Sequence, residues 1–330
     1  MKILHIVSSL PTKEKPFIKS PVVSQIESLR RNGVSIDILN LDATENILKY
    51  ITGIFKIRKI IMQEKYDLIH AHYSYCGLCS VFQKRVPLLV SFMGNDLFGV
   101  INRNGRQTPG GIFNLITSRI LIRLTHTIIV KSRRMSDIIN RKNVFIVPNG
   151  VDFSKFKPLQ KEPIQKDPES PQMKKILFIG NPKSQTKNYP LAMKAVEIVK
   201  TEMPQIELLV ICGIDQEQVA KYMGSSDLLL HTSLQEGSPN VVKEALACNL
   251  RVVSTDVGDV SELINGIKGC YITSYDPEDI ARKIKSALNS KGTINSRDKI
   301  QHLEINIIAK RIILIYESII DQKLRQGVSQ

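Results

Sequence analysis

The sequence predicts an α/β protein of two doubly wound domains, each a parallel sheet enclosed by helices. A chain of 330 residues is too long for one small core and suits two domains. An apolar strand, helix, strand order occurs near the start and begins again at residue 176. Between these patterns, residues 153–174 are rich in Pro and charge without apolar periodicity, which is typical of a linker.

The first domain is predicted to begin with a strand from Ile3 to Val7 and a helix from about Val22 to Arg31. Gly33 ends this helix, because glycine readily adopts the left-handed conformation that follows many helices. A second strand follows over Val34 to Leu41. We expect this domain to occupy residues 1–155.

The second domain repeats the pattern after a linker over residues 156–174. A strand from Ile176 to Ile179, a helix from about Pro190 to Lys200 and a strand from Ile206 to Ile211 open it. This domain is predicted over residues 175–305. The last apolar-periodic segment, Ile305 to Ile320, predicts a helix within a C-terminal segment of residues 306–330.

A segment with two glutamates, Glu236 and Glu244, follows Asp227 to Gln235, an apolar strand that runs into a loop, and precedes another strand at residues 251–255. Ser238 is predicted as the N-cap of a helix that begins at Pro239, since proline suits the first helical position. Glu236 then lies in the preceding loop and Glu244 in the second turn. In parallel α/β sheets, ligands bind beyond the carboxyl ends of the strands, where Glu236 would lie.

The start of this helix is a candidate phosphate site. Its first backbone N–H groups, including those of Asn240 and Val241, have no partner within the helix and lie at the positive end of the helix dipole. Glu244 lies within reach of a ribose, while Glu236 would face what is attached beyond the phosphates. The alternative is an ordinary surface helix with two solvated glutamates.

The stretch from Asp227 to Glu262 closely resembles the family 4 retaining glycosyltransferases of GT-B fold. Further segments resemble motifs of that family in the same order along the chain: Met1–Ser9, Asp67–His72, Ser91–Asp96, Val147–Asp152, Phe178–Gly180 and Lys187–Asn188. Nearly all of the chain is covered. The resemblance implies two Rossmann-like domains, an interdomain cleft and a C-terminal helix that returns to the first domain.

The resemblance also implies an activity: a hexosyltransferase-type enzyme that moves a sugar from a nucleotide diphosphate donor to a hydroxyl of a glycan or lipid-linked acceptor, in surface polysaccharide synthesis. Glu236 and Asp96 are the expected catalytic residues. The donor is expected to meet Gly180, Lys187, Ser238, Asn240, Val241 and Glu244, and the acceptor His72, Gly94 and Asn95. The nucleotide sugar is a co-substrate, and no other cofactor and no metal is expected.

Three positions depart from the family pattern. Asn181 stands where relatives carry an arginine for the donor diphosphate, so one charge-assisted contact is either lost or replaced by Lys183. Met93 stands where a histidine often precedes the Gly-x-Asp sequence. The first loop, Pro11 to Pro21, lacks a Gly-Gly pair, for which Lys15 or Lys19 would compensate.

Two side-chain pairs raise the question of metal or redox chemistry. His70 and His72 point to one face of a strand and could bind a metal, but packing or acceptor contact is favoured because the chain has no Asp-x-Asp pair. Cys76 and Cys79 form a C-x-x-C without a second pair, and helix packing is favoured for them. An odd total of five cysteines fits a reducing compartment.

Positive charge is concentrated in the first domain. The net charge is +15, and residues 1–150 carry 22 Lys and Arg against 9 Asp and Glu. Nucleic acid is disfavoured because Trp is absent and no nucleic-acid module is recognisable. An anionic membrane surface fits better: Phe113 to Leu124 places apolar residues on one side and Arg119 and Arg123 on another. Packing of the apolar side against the sheet is the alternative.

No apolar run reaches the roughly 18 residues of a membrane span, and the N-terminus lacks a signal-peptide cleavage site. We therefore expect a cytoplasmic protein, peripheral on the inner face of the membrane. Two other functions remain open: a GT-B sugar-nucleotide epimerase, and a basic membrane or nucleic-acid docking protein with a degenerate site. Base, sugar, acceptor and oligomeric state do not follow from the sequence.

Overall fold

The computed structural model describes residues 1–12, 20–43, 46, 48–102, 104–159 and 173–328. The chain divides into two compact units. The first contains Met1–Val100, Gln107–Gly150 and Ile305–Gln330, and the second contains Ile101–Arg106 and Val151–Glu304. Lys15, Lys19 and most of the predicted linker lie outside the described residues.

The first unit is built on a six-stranded sheet in the order β2-β1-β3-β4-β5-β6, and every pair in it is parallel. The strands are β1 (Lys2–Val7), β2 (Ser35–Asn40), β3 (Leu68–His72), β4 (Leu88–Ser91), β5 (Thr127–Val130) and β6 (Val144–Ile146). The helices are α1 (Ser20–Arg31), α2 (Leu48–Gln63), α3 (Ser74–Ser80), α4 (Asn95–Phe98), α5 (Pro109–Leu124) and α6 (Arg133–Ile139).

The second unit carries a five-stranded sheet in the order β11-β10-β9-β7-β8, also parallel. Its strands are β7 (Lys174–Ile179), β8 (Ile206–Ile211), β9 (Leu228–His231), β10 (Arg251–Thr255) and β11 (Tyr271–Thr273). Its helices are α7 (Tyr189–Glu202), α8 (Gln216–Ser225), α9 (Asn240–Ala247), α10 (Val260–Ile264), α11 (Pro277–Asn289) and α12 (Ser296–Lys299). A 3-10 turn, Gln301–Leu303, precedes the final helix, α13 (Ile305–Val328).

Both strand orders reverse direction at one point, which makes both sheets doubly wound. In the second unit the chain goes from β7 to β8 on one side and then returns to place β9 on the other side of β7. The loops that leave β7 and β9 therefore diverge at their carboxyl ends and open a crevice, where ligands bind in folds of this kind. The predicted fold class is confirmed.

The predicted elements agree with the structure to within a few residues at their ends. Gly33 has a φ of 85° directly after α1, as expected for a glycine that ends a helix. The strand predicted to begin at Ile176 begins at Lys174, and the helix predicted from Pro190 begins at Tyr189. The helix predicted to end at Ile320 continues to Val328. Apolar periodicity locates elements better than it locates their ends, because terminal turns are polar.

α13 belongs to the first unit and packs against α1. The Ser28 hydroxyl of α1 donates to the Ile305 carbonyl of α13 over 3.2 Å, and Tyr316 is fully buried. The C-terminal helix thus returns to the first sheet, as the family resemblance implies.

Cys76 and Cys79 both point into the core of the first unit, among residues of α2, α5 and the sheet. Burial raises the pKa of the Cys79 thiol to about 12, far above the range of a reactive cysteine. The two thiols are packing groups. Within the described residues, no helix is long and apolar enough to cross a membrane.

Candidate functional site

α9 starts one residue later than predicted, and Ser238 does not cap it. The N-cap position belongs to Pro239, and the first helical residue is Asn240. Ser238 is buried, and its hydroxyl donates to the Asp259 carboxylate over 2.8 Å. The competing acceptor comes from the loop after β10, which the local pattern around Ser238 does not reveal. Ser238 therefore fastens two loops together.

The first turn of α9 retains the geometry expected of an anion site. The amides of Asn240 and Val241 begin the helix ahead of the Val242 N–H, which bonds the Pro239 carbonyl over 3.2 Å. Amides at a helix start lie at the positive end of the helix dipole. Glu244 lies four residues beyond Asn240, about 6 Å along the helix axis. Its side chain is half-buried. This separation matches the distance between a phosphate and a ribose in one nucleotide.

Lys187 and Glu236 form an ion pair at the carboxyl ends of β7 and β9. Lys187 Nζ lies 2.5 Å from Glu236 Oε1, and the Ser233 hydroxyl donates to the same oxygen over 3.0 Å. Gly180 lies against the lysine stem, because a Cβ at this position would lie 3.0 Å from Lys187 Cγ. Gly180 and Lys187, predicted to bind the donor, and Glu236, predicted as a catalytic residue, are thus brought together where the strand order reverses.

Backbone contacts fix the relative position of these loops. The Thr232 hydroxyl donates to the Lys187 carbonyl over 3.1 Å, and the Leu234 N–H bonds the Thr186 carbonyl over 2.8 Å. On the other side, the Thr255 hydroxyl donates to the Ser233 carbonyl over 2.6 Å. The loops after β7, β9 and β10 therefore form one connected surface.

His231 is a site residue that the sequence analysis missed. Its ring is 3 % exposed, and Nε2 lies 3.7 Å from Glu236 Oε1. The Ser254 hydroxyl lies 2.8 Å from His231 Nδ1 and donates its one proton to the Thr255 carbonyl, so Nδ1 carries the imidazole proton. Burial lowers the His231 pKa, which keeps the ring neutral and leaves Nε2 as an acceptor. Nε2 has no hydrogen-bond partner in the structure.

The two glutamates have opposite electrostatic environments. Burial alone would raise the pKa of Glu236, but the Lys187 ammonium holds it well below the ordinary range. Burial raises the pKa of Glu244 to about 7, against only partial compensation from Lys243. Glu236 is therefore an anion at neutral pH, whereas Glu244 exchanges its proton near neutrality.

Asn181 does not replace the missing arginine. Its side-chain oxygen accepts the Lys183 N–H over 2.9 Å and closes the turn after Gly180. Lys187 is thus the cation next to Glu236 in this loop.

Asp96, predicted as a catalytic residue, is fully buried in the first unit. Its carboxylate accepts the N–H groups of Met93 and Gly94, each over 2.9 Å, and that of Ser74 over 3.2 Å. Burial raises its pKa to about 6, and these backbone donors limit the rise. Asp96 shapes the loop that presents Gly94 and Asn95, and its predicted contact with an acceptor stays a prediction.

His72, predicted on the acceptor side, lies in a buried aromatic cluster. His72 Nε2 lies 2.9 Å from His5 Nδ1, and the Tyr316 hydroxyl lies 2.6 Å from His70 Nδ1 and 3.2 Å from His5 Nε2. His72 is 1 % exposed, so an acceptor cannot touch its ring in this conformation without a movement of the surrounding chain. Its predicted acceptor contact stays a prediction.

The same histidines could in principle hold a metal, since one nitrogen of each ring lies within 4.8 Å of the others. His70 Nε2 already pairs with the Ser91 hydroxyl over 2.7 Å, His70 Nδ1 and His5 Nε2 meet the Tyr316 hydroxyl, and His5 Nδ1 meets His72 Nε2. Hydrogen bonds within the protein thus engage both ring nitrogens of His5 and His70. The cluster therefore links α13 to β1, β3 and β4.

The two doubly wound units, with a helix N-terminus, a loop lysine and two glutamates beyond the switch point of the second sheet, define the GT-B class. Two family models match the chain. The one described as Glycosyltransferase Family 4 matches residues 10–155, and the one described as Glycosyl transferases group 1 matches residues 213–290. These two matches support the assignment to the family 4 glycosyltransferases that the sequence motifs predicted.

Curated relatives of this chain are distant. It is 23 % identical over 305 residues to the phosphatidylinositol N-acetylglucosaminyltransferase GPI3 subunit of Saccharomyces cerevisiae, with 80 % of this chain and 66 % of the relative covered. It is 25 % identical over 239 residues to the putative teichuronic acid biosynthesis glycosyltransferase TuaC of Bacillus subtilis, with 66 % and 60 % covered. The chain thus spans slightly less than two thirds of the length of these relatives.

Solved structures share the fold. A sucrose-phosphate synthase from Thermosynechococcus elongatus superposes with a TM-score of 0.77 at 15 % identity, over 97 % of this chain and 99 % of that one. HepE of Anabaena, crystallised with UDP and glucose, superposes with a TM-score of 0.67 at 16 % identity, over 96 % and 100 %. At these identities the likeness establishes the two-unit fold alone.

Proposed function

We propose that this protein is a retaining glycosyltransferase that moves a sugar from a nucleotide diphosphate donor to a hydroxyl of a glycan or lipid-linked glycan. The observation that carries the proposal is the group of Lys187, Glu236 and the α9 N-terminus at the switch point of the second sheet. The lysine and the helix N-terminus offer a cation and backbone N–H donors to a diphosphate. Glu236 and, further along α9, Glu244 offer carboxylates to the donor sugar and to the ribose on either side of that diphosphate.

The donor diphosphate would lie against the first turn of α9 and Lys187. An ammonium has three protons, so Lys187 can contact a phosphate oxygen while it keeps one hydrogen bond to Glu236. When the sugar–phosphate bond breaks, negative charge grows on the leaving phosphate, and both groups stabilise it. These groups supply positive charge where a metal otherwise would, so we propose that the reaction needs no metal; unchanged turnover in EDTA is the expected result.

Glu236 would hold hydroxyls of the donor sugar and stabilise positive charge at its anomeric carbon. The depressed pKa keeps this carboxylate ionised throughout the neutral range, which suits that role. Glu244 would accept the ribose hydroxyls. On the first unit, Gly94, Asn95, Asp96 and His72 would form the acceptor side, with Asp96 acting at the acceptor hydroxyl.

The acceptor class is supported by the names of relatives. One acts in phosphatidylinositol glycosylation by its name and another in teichuronic acid synthesis, and both names point to acceptors that are lipids or cell-surface glycans. We propose an acceptor of this kind and a place in surface polysaccharide synthesis.

The first experiment is a thermal-shift screen of the protein against UDP, GDP, CDP and ADP and their sugars. Stabilisation by one nucleotide, lost in Glu244→Ala and kept in Glu217→Ala on the exposed start of α8, is the expected result. Donor hydrolysis or transfer should then fall in Glu236→Gln while nucleotide binding persists.

Three results would argue against the proposal. Equal and small effects of Glu236→Gln and Glu244→Ala would contradict the two separate roles. Conversion of a nucleotide sugar to its epimer without any acceptor would indicate a sugar-nucleotide epimerase. Absence of stabilisation by every nucleotide would favour a docking protein with a degenerate site.

A further inference from the structure

Two helices of the first unit present large apolar side chains to solvent. They lie on α2 and α5, and each is between 44 % and 71 % exposed: Leu48, Ile51, Phe55, Met62, Phe113, Ile112, Ile116, Ile120 and Leu124. The alternative that the α5 stripe packs against the sheet is wrong. The core side of α5 is formed by small and polar residues together with Leu121.

The stripe on α2 is a second apolar face, separate from the one that packs on the core. At 100° per residue, Leu48, Ile51, Phe55 and Met62 fall within an arc of about 60°. Gly53, Ile57 and Ile61, which are buried, lie on the opposite side of the helix. Amphipathic helices in globular proteins bury their apolar stripe, so an apolar arc opposite the core needs another explanation.

The two stripes belong to one side of the unit. α2 and α5 both pack against α3, and side chains of all three helices enter the same core cluster. Ring contacts connect the helices: Tyr50 of α2 lies 5.2 Å from Tyr75 of α3, which lies 6.1 Å from Phe113 of α5, between centroids. Phe82, just after α3, is also exposed. We call the stripes of α2 and α5 with Phe82 the docking face.

The two helices of the docking face carry cations and no carboxylate. Residues 48–63 and 109–124 contain six lysines and arginines and no Asp or Glu: Lys49, Lys56, Arg58, Lys59, Arg119 and Arg123. Lys49 pairs with Asp42 and Arg58 donates to the Phe82 carbonyl. Along α2, Arg58 and Lys59 flank the apolar arc on its two sides, whereas on α5 Arg119 lies at the edge of the apolar stripe and Arg123 lies within it.

We propose that the docking face binds the surface of an anionic phospholipid bilayer, with the apolar stripes at the acyl boundary and the cations of the two helices among the headgroups. Apolar area combined with cations and no anions is the pattern of a helix that lies in a membrane interface. A second copy of this chain would bring like charges together. Nucleic acid would use the cations but leave the apolar stripes in water.

The proposal does not depend on the proposed transferase activity, because it concerns binding alone. The test is flotation of the protein with vesicles of phosphatidylcholine alone or of phosphatidylcholine mixed with phosphatidylglycerol. We expect flotation with the mixed vesicles, little with the neutral ones, and release at high salt.

Variants on each helix test the location. Ile116→Glu with Ile120→Glu on α5, and Ile51→Glu with Phe55→Glu on α2, should each reduce the bound fraction about tenfold. Leu314→Glu is the matched control, because Leu314 is an exposed leucine on α13, away from the docking face. All substituted side chains are exposed, so melting temperatures close to that of the parent protein are expected and are measured first.

A charge variant separates the electrostatic contribution of the cations from the apolar contribution of the stripes. Lys56→Gln, Lys59→Gln, Arg119→Gln and Arg123→Gln combined should remove the preference for phosphatidylglycerol. The proposal is overturned if the protein floats with neither vesicle, if the stripe variants bind as the parent does, or if Leu314→Glu loses as much binding. Concentration-dependent self-association abolished by the stripe variants would identify a second copy as the occupant instead.

Discussion

The chemistry of Glu236 depends on residues from three segments of the chain. Lys187 and Glu236 could each be predicted from the motif around them, since both stand next to a helix start. His231 could not, because in the sequence it is one residue of an apolar strand. Its role arises from Ser254, a neighbour on the adjacent strand, which fixes the imidazole proton on Nδ1. The role of Ser238 could not be predicted either, because its acceptor, Asp259, lies 21 residues further along the chain.

Glu244 should make stability depend on pH in the neutral range. Its folded pKa of about 7 lies above the ordinary 4.5, so its contribution is fully present below about pH 4.5 and is lost as pH rises through 7. The loss amounts to about 2–3 kcal/mol. We expect Glu244→Gln to flatten the pH profile of the free energy of unfolding between pH 5 and 8, measured by urea titration.

Ribose hydroxyls would offset the cost of ionising Glu244. Nucleotide binding should therefore strengthen between pH 6 and 8 in the parent protein, as measured by calorimetry. Glu217→Gln is the control and should behave as the parent. A parallel pH dependence in parent and Glu244→Gln would contradict the assignment.

His231 should contribute to recognition of the donor sugar and not of the nucleotide. Its Nε2 is a buried acceptor beside Glu236, so a sugar hydroxyl is the donor that it would accept from. Replacing it by Phe removes one buried hydrogen bond of about 1–3 kcal/mol, or roughly 5- to 160-fold in kcat/KM. Binding of the nucleoside diphosphate alone should not change. Equal losses for nucleotide and nucleotide sugar would refute this role, and the exposed His302→Phe is the control.

At the scale of single elements, the sequence predicts which segments are strands and helices but not how loops meet. The periodicity that identifies α9 says nothing about the loop after β10, yet Gly258 in that loop lies directly against Gly237. A Cβ on Gly258 would lie 2.9 Å from the Gly237 carbonyl oxygen. The sequence predicts that α9 begins at Pro239, one residue before its start in the structure. Contacts between loops help to decide where the helix begins, and the local pattern does not contain them.

Gly258→Ala should displace the loop that carries Glu236. The substitution adds a Cβ at a φ of 59° and a collision with backbone, whereas Gly292→Ala adds a Cβ at a φ of 89° with nothing within 4 Å. Both variants carry the cost of a left-handed conformation, about 1 kcal/mol. Only Gly258→Ala should also weaken nucleotide binding in the thermal-shift assay. Equal behaviour of both variants would show that the close approach is unimportant.

For the whole molecule, length and the repeated strand order were sufficient to predict two doubly wound units. The hydrogen-bond partner of His5 and His70 was not predictable, because Tyr316 comes from the far end of the chain. Pattern analysis compares neighbours in sequence, and this cluster joins β1 and β3 to a helix more than 240 residues away. The exposed stripes of α2 and α5 could not be predicted for a similar reason. Apolar periodicity is visible in the sequence, but only the packed unit shows which side of each helix faces water.

Acid should destabilise the protein through these histidines. Burial lowers the pKa of His5 to about 3 and that of His70 well below 6.5. Their contribution is present above pH 6.5 and is lost as pH falls below it, because the unfolded chain binds the protons more tightly. Between pH 7 and 5 the free energy of unfolding should fall by about 2 kcal/mol through His5, and His70 acts in the same direction. His70→Gln should have a shallower acid limb than the control His302→Gln.

The return of α13 to the first unit has a consequence for synthesis on the ribosome. Ser28 of α1 meets Ile305 only after 277 further residues have been added, on the order of tens of seconds at typical elongation rates. Until then, the nascent first unit lacks the helix that supplies Tyr316. The second unit is nearly continuous from Val151 to Glu304 and has all its strands earlier than the first unit has all its helices. We therefore expect the segment made first to complete its fold last, which a protease challenge of chains stalled before and after residue 305 would reveal.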